Sequence, residues 1–290
     1  MNTRHPHVTR RDFMRGTSGS TLGLTALTAD DHAAANRSSM VILVRDEKAL
    51  GENNRVNPEI MKAMMEKIVT TVTGQKKITD AWLSLVKPAD RVGLVPTPHL
   101  NPTHKELVEA IRTSLIEAGI PAGHIVDAQG GPDKAKSCTA LISLPALKAH
   151  WLTGIGTVLK NYITFSGAPS SYHEANNIKL GEIWNMPQVK GKTKLILVDA
   201  LRPLCDKGPQ PDPRYLWNYN GLLAGIDPVA VETVCLKIIT EKRQALRGEP
   251  WPLSPPPLCV AAAEDTYKLG TGKWAEIKVE KIGWQQDSYV

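Results

Sequence analysis

Apolar residues recur along the chain in short runs, and their spacing alternates between unbroken stretches and rows three or four residues apart. Residues 40–44 (Met-Val-Ile-Leu-Val) form an unbroken run of strand length. Residues 92–95, Ile125-Val126, residues 140–142 and residues 195–198 repeat it. Helical rows lie between them. Asn57-Pro58 places a capping side chain before a proline at the first helical position, and Ile60, Met64, Ile68 and Val72 follow as the inward row. Thr103-His104-Lys105-Glu106 has the form of a capping box; Leu107, Ile111 and Leu115 continue it until Gly119 ends the helix. Asp227-Pro228 opens a further helix with Val231, Val234, Cys235 and Ile238 on its inner stripe. A proline-rich stretch at residues 250–257 precedes a last helix near Ala261 and a final strand at residues 277–279. Unbroken apolar strands suit a sheet covered on both faces. Their alternation with helices predicts one layered α/β domain over residues 36–290, with a mostly parallel sheet and flanking helices.

The first 35 residues follow a different pattern. Thr9-Arg10-Arg11-Asp12-Phe13-Met14-Arg15 resembles a twin-arginine export signal, and residues 16–29 form a weakly apolar stretch too short and polar to anchor. Ala33-Ala34-Ala35 supplies the small residues of a cleavage site before Asn36. Residues 1–35 therefore read as a signal peptide. The twin-arginine export machinery is the expected partner, the destination is periplasmic or otherwise extracytoplasmic, and no membrane anchor remains after cleavage. Signals of this class resemble those of proteins exported already folded, often with a cofactor inserted first; the cofactor itself is not identified.

Composition narrows the classes further. With 42% hydrophobic and 22% charged residues in 290, collagen-like, coiled-coil and disordered chains are excluded. Lys+Arg 35 against Asp+Glu 29 leaves a net charge of +6. The bases are scattered among acids and form no block interleaved with aromatics, so no nucleic acid is expected. Cys138, Cys205, Cys235 and Cys259 have no CxxC spacing, which leaves no zinc framework and no ferredoxin-type iron–sulfur motif. An oxidising compartment would tolerate disulfides, with three pairings open. Cys235, on a helical stripe, reads as a small buried hydrophobe.

In open α/β sheets ligands bind beyond the carboxyl ends of strands, and three places there hold polar residues. After the strand at 140–142, Lys148, His150, Lys160 and Asn161 interrupt an otherwise apolar stretch. The lysines would hold a small anionic ligand and His150 would move a proton. Gly154 and Gly156 would let backbone N–H groups approach the anion at a helix start; Leu159 stands where a third glycine belongs, so no complete dinucleotide motif is present. Asp199 closes the strand at 195–198, followed by Arg202 and a Pro/Gly-rich loop at residues 203–221 that could act as a lid. Asp227 is the third place. His150, His173, Asp199 and Asp227 also make an N/O set for a divalent metal ion. Plainer roles exist: Asp227 as a helix cap, Asp199 as a partner of Arg202, and Trp151, Trp184 and Trp217 as an interface of a purely structural protein. The set is read as the site of an exported enzyme acting on a small anionic substrate or cofactor. The alternative is a non-catalytic anion- or metal-binding module.

Leu144-Pro145-Ala146-Leu147-Lys148-Ala149-His150, Thr153-Gly154, Leu159-Lys160-Asn161, Val198-Asp199-Ala200, the Gly208-Pro209 turn and Asp227-Pro228-Val229-Ala230-Val231-Glu232 together resemble the domain of unknown function 362 family, over about residues 40–283. Exported members of that family carry such a leader. Others are fused to ferredoxin-like modules, which implies redox-linked work. The chain departs from the family pattern at three places. Val95-Pro96-Thr97 stands where the family has a Lys and an Asn, the stretch at 127–140 is short, and Glu232 replaces an Asp.

Overall fold

The computed structural model describes residues 39–290, so the expected signal at residues 1–35 lies outside the described residues. The strands are β1 Ser39–Arg45, β2 Val92–Pro96, β3 Ile125–Asp127, β4 Ala140–Leu144, β5 Ala146–His150, β6 Gly154–Ile155, β7 Thr193–Leu204, β8 Gly221–Gly225 and β9 Ile277–Gly283. They form one sheet in the order β3-β2-β4-β7-β8-β1-β9, with β5 beside the end of β7 and β6 folded back on β5. Pairing is parallel for β2 with β3 and β4, β7 with β4 and β5, and β1 with β9. It is antiparallel for β8 with β7 and β1, and for β5 with β6. The sheet is mixed and mostly parallel, as the sequence predicts.

Helices cover both faces. On one side lie α1 Pro58–Thr73, α2 Ile78–Leu85 and α3 Lys105–Glu117; on the other lie α4 Pro132–Lys136, α5 Leu180–Trp184, α6 Pro228–Arg247 and α7 Cys259–Asp265. Alternation along each strand feeds two separate cores. In β1, Val41 and Leu43 face α6 while Ile42 and Val44 face α1; in β7, Ile196 and Val198 face one core while Leu195 and Leu197 face the other. A sheet buried on both faces needs unbroken apolar strands, and that is the pattern read above. Among the described residues, no helix is long and apolar enough to cross a membrane.

Several local expectations are confirmed and others corrected. Asn57 Oδ1 accepts from Ile60 N (3.4 Å), and Gly74 ends α1 in the left-handed region. The buried stripe of α1 is turned by one position: Met61, Met64, Met65, Ile68 and Val69 are buried, while Ile60 and Val72 lie half-buried at its edge. The capping box at Thr103 does not form. Its hydroxyl donates instead to Leu144 O (2.6 Å) and accepts from Thr97 N (2.9 Å), and His104 becomes the cap residue of α3. Nor do residues 203–221 form a free lid. β7 runs on through Leu204, Cys205 N donates to Tyr215 O (3.0 Å), and the buried Arg243 guanidinium donates to Cys205 O (2.8 Å) and Asp206 (2.6 Å). All four cysteines are buried and unbridged.

Candidate functional site

Pro145 interrupts β4, and the chain continues beside β7 as β5, carrying Lys148 and His150 beyond the carboxyl ends of β2 and β4. Thr97, just after β2, fastens this junction: its N–H donates to Leu144 O (3.3 Å) and its hydroxyl accepts from Ala146 N (3.0 Å). The chain then folds back through β6 into turns that bear Lys160 and Asn161. These segments border an open-mouthed cavity of about 620 Å³ whose lining includes Lys148, His150, Gly156, Lys160, Asn161 and His173. His99, Gln129 and Trp151 line it as well. No Asp or Glu does.

Burial dominates the electrostatics. Lys148 is 4% exposed, and its Nζ donates to the carbonyls of Leu100 (2.6 Å), Asn101 (3.3 Å) and His99 (3.4 Å). Burial, helped by the nearby charge of Lys160, lowers its pKa to about 7. Burial alone lowers that of Lys160 to about 8. Neither lysine joins an ion pair among the described residues. His150 is held neutral: burial first, then the charges of Lys160, His173 and Lys148, bring its pKa to about 3. Its Nδ1 accepts from Leu152 N (3.1 Å), which places the proton on Nε2 as a donor. His173 stacks on it at 5.6 Å and is lowered in the same way by burial and Lys160.

The glycines and Asn161 shape this site. A Cβ at Gly156 would lie 3.1 Å from the His150 side chain, so its absence makes room for that ring. The N–H of Gly156 is engaged by Lys148 O (2.9 Å). No helix starts there, and the expected helix-terminus anion site does not exist. Gly154, at φ +76°, packs against the backbone of Pro255 and Pro257 and does not line the cavity. Asn161 Nδ2 donates to Val95 O (2.7 Å) and Ser143 Oγ (3.0 Å), tying its turn to the ends of β2 and β4.

Asp199, Arg202 and Asp227 stand outside the cavity lining. Asp199 lies within β7 and pairs with His104 rather than Arg202. Its Oδ2 accepts from His104 N (2.7 Å) and lies 2.7 Å from Nδ1, while Oδ1 accepts from Leu201 N (3.1 Å). Burial alone would lower the pKa of His104, but the charge and hydrogen bond of Asp199 raise it. Asp227 caps α6 through Val229 N and Ala230 N (both 2.9 Å) and also accepts from Thr271 N (3.0 Å). The proposed metal set is thereby separated into a histidine pair and two carboxylates held elsewhere. Among the described residues, no three His, Cys, Asp or Glu side chains gather to hold a metal ion. Of the three tryptophans read as a possible interface, Trp184 is buried and donates to Leu159 O (3.1 Å), Trp217 is half-buried and Trp151 is exposed.

Three residues near the site had no role assigned by sequence. Glu232 is fully buried behind the turn; its Oε2 accepts from Val158 N (2.7 Å), and its Oε1 finds no partner among the described residues. Burial, opposed by the Val158 and Leu159 N–H groups, raises its pKa to about 8. Gln129 carries a buried Nε2 with no partner among the described residues, and His99 contributes its carbonyl to Lys148. The one signal that marks Gln129 and His99 is position, since both follow strands at the carboxyl edge of the sheet.

The family model described as Domain of unknown function (DUF362) matches residues 51–237. No curated protein and no solved structure matches the chain.

Proposed function

The chain belongs to the DUF362 family, and on that footing we propose that it is an enzyme that captures a small anion in the strand-end cavity and moves a proton there through Lys148. One observation carries this reading: two buried or half-buried lysines share a cleft whose lining, among the described residues, holds no carboxylate. Concentrating unpaired cations away from water is costly, and an anion between them would relieve that cost. Lys160, with its pKa at about 8, is mostly charged at pH 7 and supplies the counter-charge. Lys148, at about 7, divides between its charged and neutral forms, which suits a group that gives or takes a proton near neutrality. His150 is too weak a base for that task and donates a hydrogen bond from Nε2 instead. The proton-moving role passes from the imidazole to the amine.

A binding module without turnover is favoured by one feature. The three carbonyls around Lys148 Nζ stabilise its charged form, as suits a fixed anion ligand. Both readings require the same occupancy. Calorimetric titration with sulfate should give a saturable isotherm for the unaltered chain and none for the Lys148→Met/Lys160→Met double variant. An isotherm unchanged by that double substitution would remove both.

A further inference from the structure

The cavity is graded from a charged inner end to an apolar mouth. Lys148 and His150 are 4% and 7% exposed, whereas Leu100 and Trp151 on the same lining are 39% and 57% exposed. Pro98 is exposed and Leu152 half-exposed beside them. Trp151 is held in place by its backbone, whose N–H donates to Gly208 O (2.7 Å). Gln129 adds a buried Nε2 that has no acceptor among the described residues.

An inorganic ion would satisfy the lysines and leave the apolar wall in water. A wholly apolar molecule would cover the wall and strand the charges, the more costly outcome. About 620 Å³ is also in the range of clefts that enclose organic ligands of some size. We propose that the ligand is an aromatic organic anion, its charged group at Lys148 and Lys160 and its flat ring against Trp151. A flat ring fits because the indole offers a rigid face for stacking. This assignment rests on the anion reading above and narrows it to a substrate class.

Calorimetric titration of the full chain with sodium acetate and sodium 2-naphthoate separates the two claims, because the probes share a carboxylate and differ in the ring. 2-Naphthoate should bind at least about tenfold tighter than acetate, the ring covering apolar surface that acetate cannot reach. Trp151→Ala should weaken 2-naphthoate by about three- to tenfold, leave acetate unchanged, and be largely rescued by Trp151→Phe. The Lys148→Met/Lys160→Met double variant should lose both probes. Lysine-dependent acetate binding with no gain for 2-naphthoate, or a gain indifferent to Trp151→Ala, overturns the aromatic assignment and leaves the anion reading standing. Binding of neither probe, or binding indifferent to the lysines, overturns both.

Discussion

Lys148 and Glu232 are opposite charges that the fold treats alike, by taking each out of water without an ionic partner. For Lys148 the folded pKa of about 7 lies below the ordinary 10.5, so between those values the unfolded chain binds the extra proton. Stability therefore rises with pH across that window, by up to about 1.4 kcal/mol per pH unit for one proton. Lys148→Met should remove that group's share of the rise and leave the share that Lys160, at about 8, contributes, which denaturant unfolding at a series of pH values would read; parallel curves for the two proteins would contradict the assignment. For Glu232 the sign is reversed. Its folded pKa of about 8 lies above the ordinary 4.5, so the folded chain keeps a proton that the unfolded chain releases, and stability falls as pH rises through that range. Glu232→Gln should flatten the fall, leaving the variant more stable relative to the unaltered chain at pH 8 than at pH 5 by roughly 2–4 kcal/mol. Thermal unfolding at the two pH values measures it. Glu232 also holds Val158 N–H, two residues before Lys160, and so fixes the turn that bears it.

At the scale of elements, the loop at residues 97–104 is the piece the site depends on. It is fixed at both ends, by Thr97 and Thr103 over Leu144 and by His104 on Asp199, and its middle carbonyls hold the Lys148 ammonium. Asp199→Asn removes a buried charge that accepts two hydrogen bonds from His104, and should cost about 2 kcal/mol. Amide hydrogen exchange should speed up at residues 97–104 more than in α1 or α6, and uniform exchange would show that the anchor lies elsewhere. This loop also shows where the sequence is legible. Asn57 and Asp227 announce their helices because a cap bonds to residues two or three positions away. Thr103 carries the same local signal, yet its hydroxyl is claimed by Leu144, 41 residues distant, and the box is lost to tertiary contacts. Asp199 reads as a ligand for the same reason: its partner His104 is 95 residues away, and no local spacing reveals it. The Lys148, His150, Lys160 cluster is legible because polar groups interrupt an apolar run within one short segment. Gln129 and His99 join it only through the fold.

Over the whole molecule, the sheet separates support from chemistry. Every residue lining the cavity falls between Val95 and Gln210, inside the segment that the family model matches. β1 and β9 lie outside that segment, yet β1 pairs with β8 on one side and β9 on the other and buries Val41 and Ile42 completely. The alternation of apolar runs predicts this layered form because burial on both faces demands it; the antiparallel insertion of β8 between β7 and β1 depends on chain return, which periodicity does not encode. On the proposed reading, the assembled fold creates a pair of lysines whose pKa values burial lowers and a bound anion would raise. Binding should then draw protons from solution. Calorimetric titration with sulfate in buffers of different ionisation enthalpy tests this directly. At pH 8 the account predicts net uptake of about one proton per anion bound, falling towards none at pH 6 where both lysines are already charged. Binding at pH 8 with no proton uptake would contradict it.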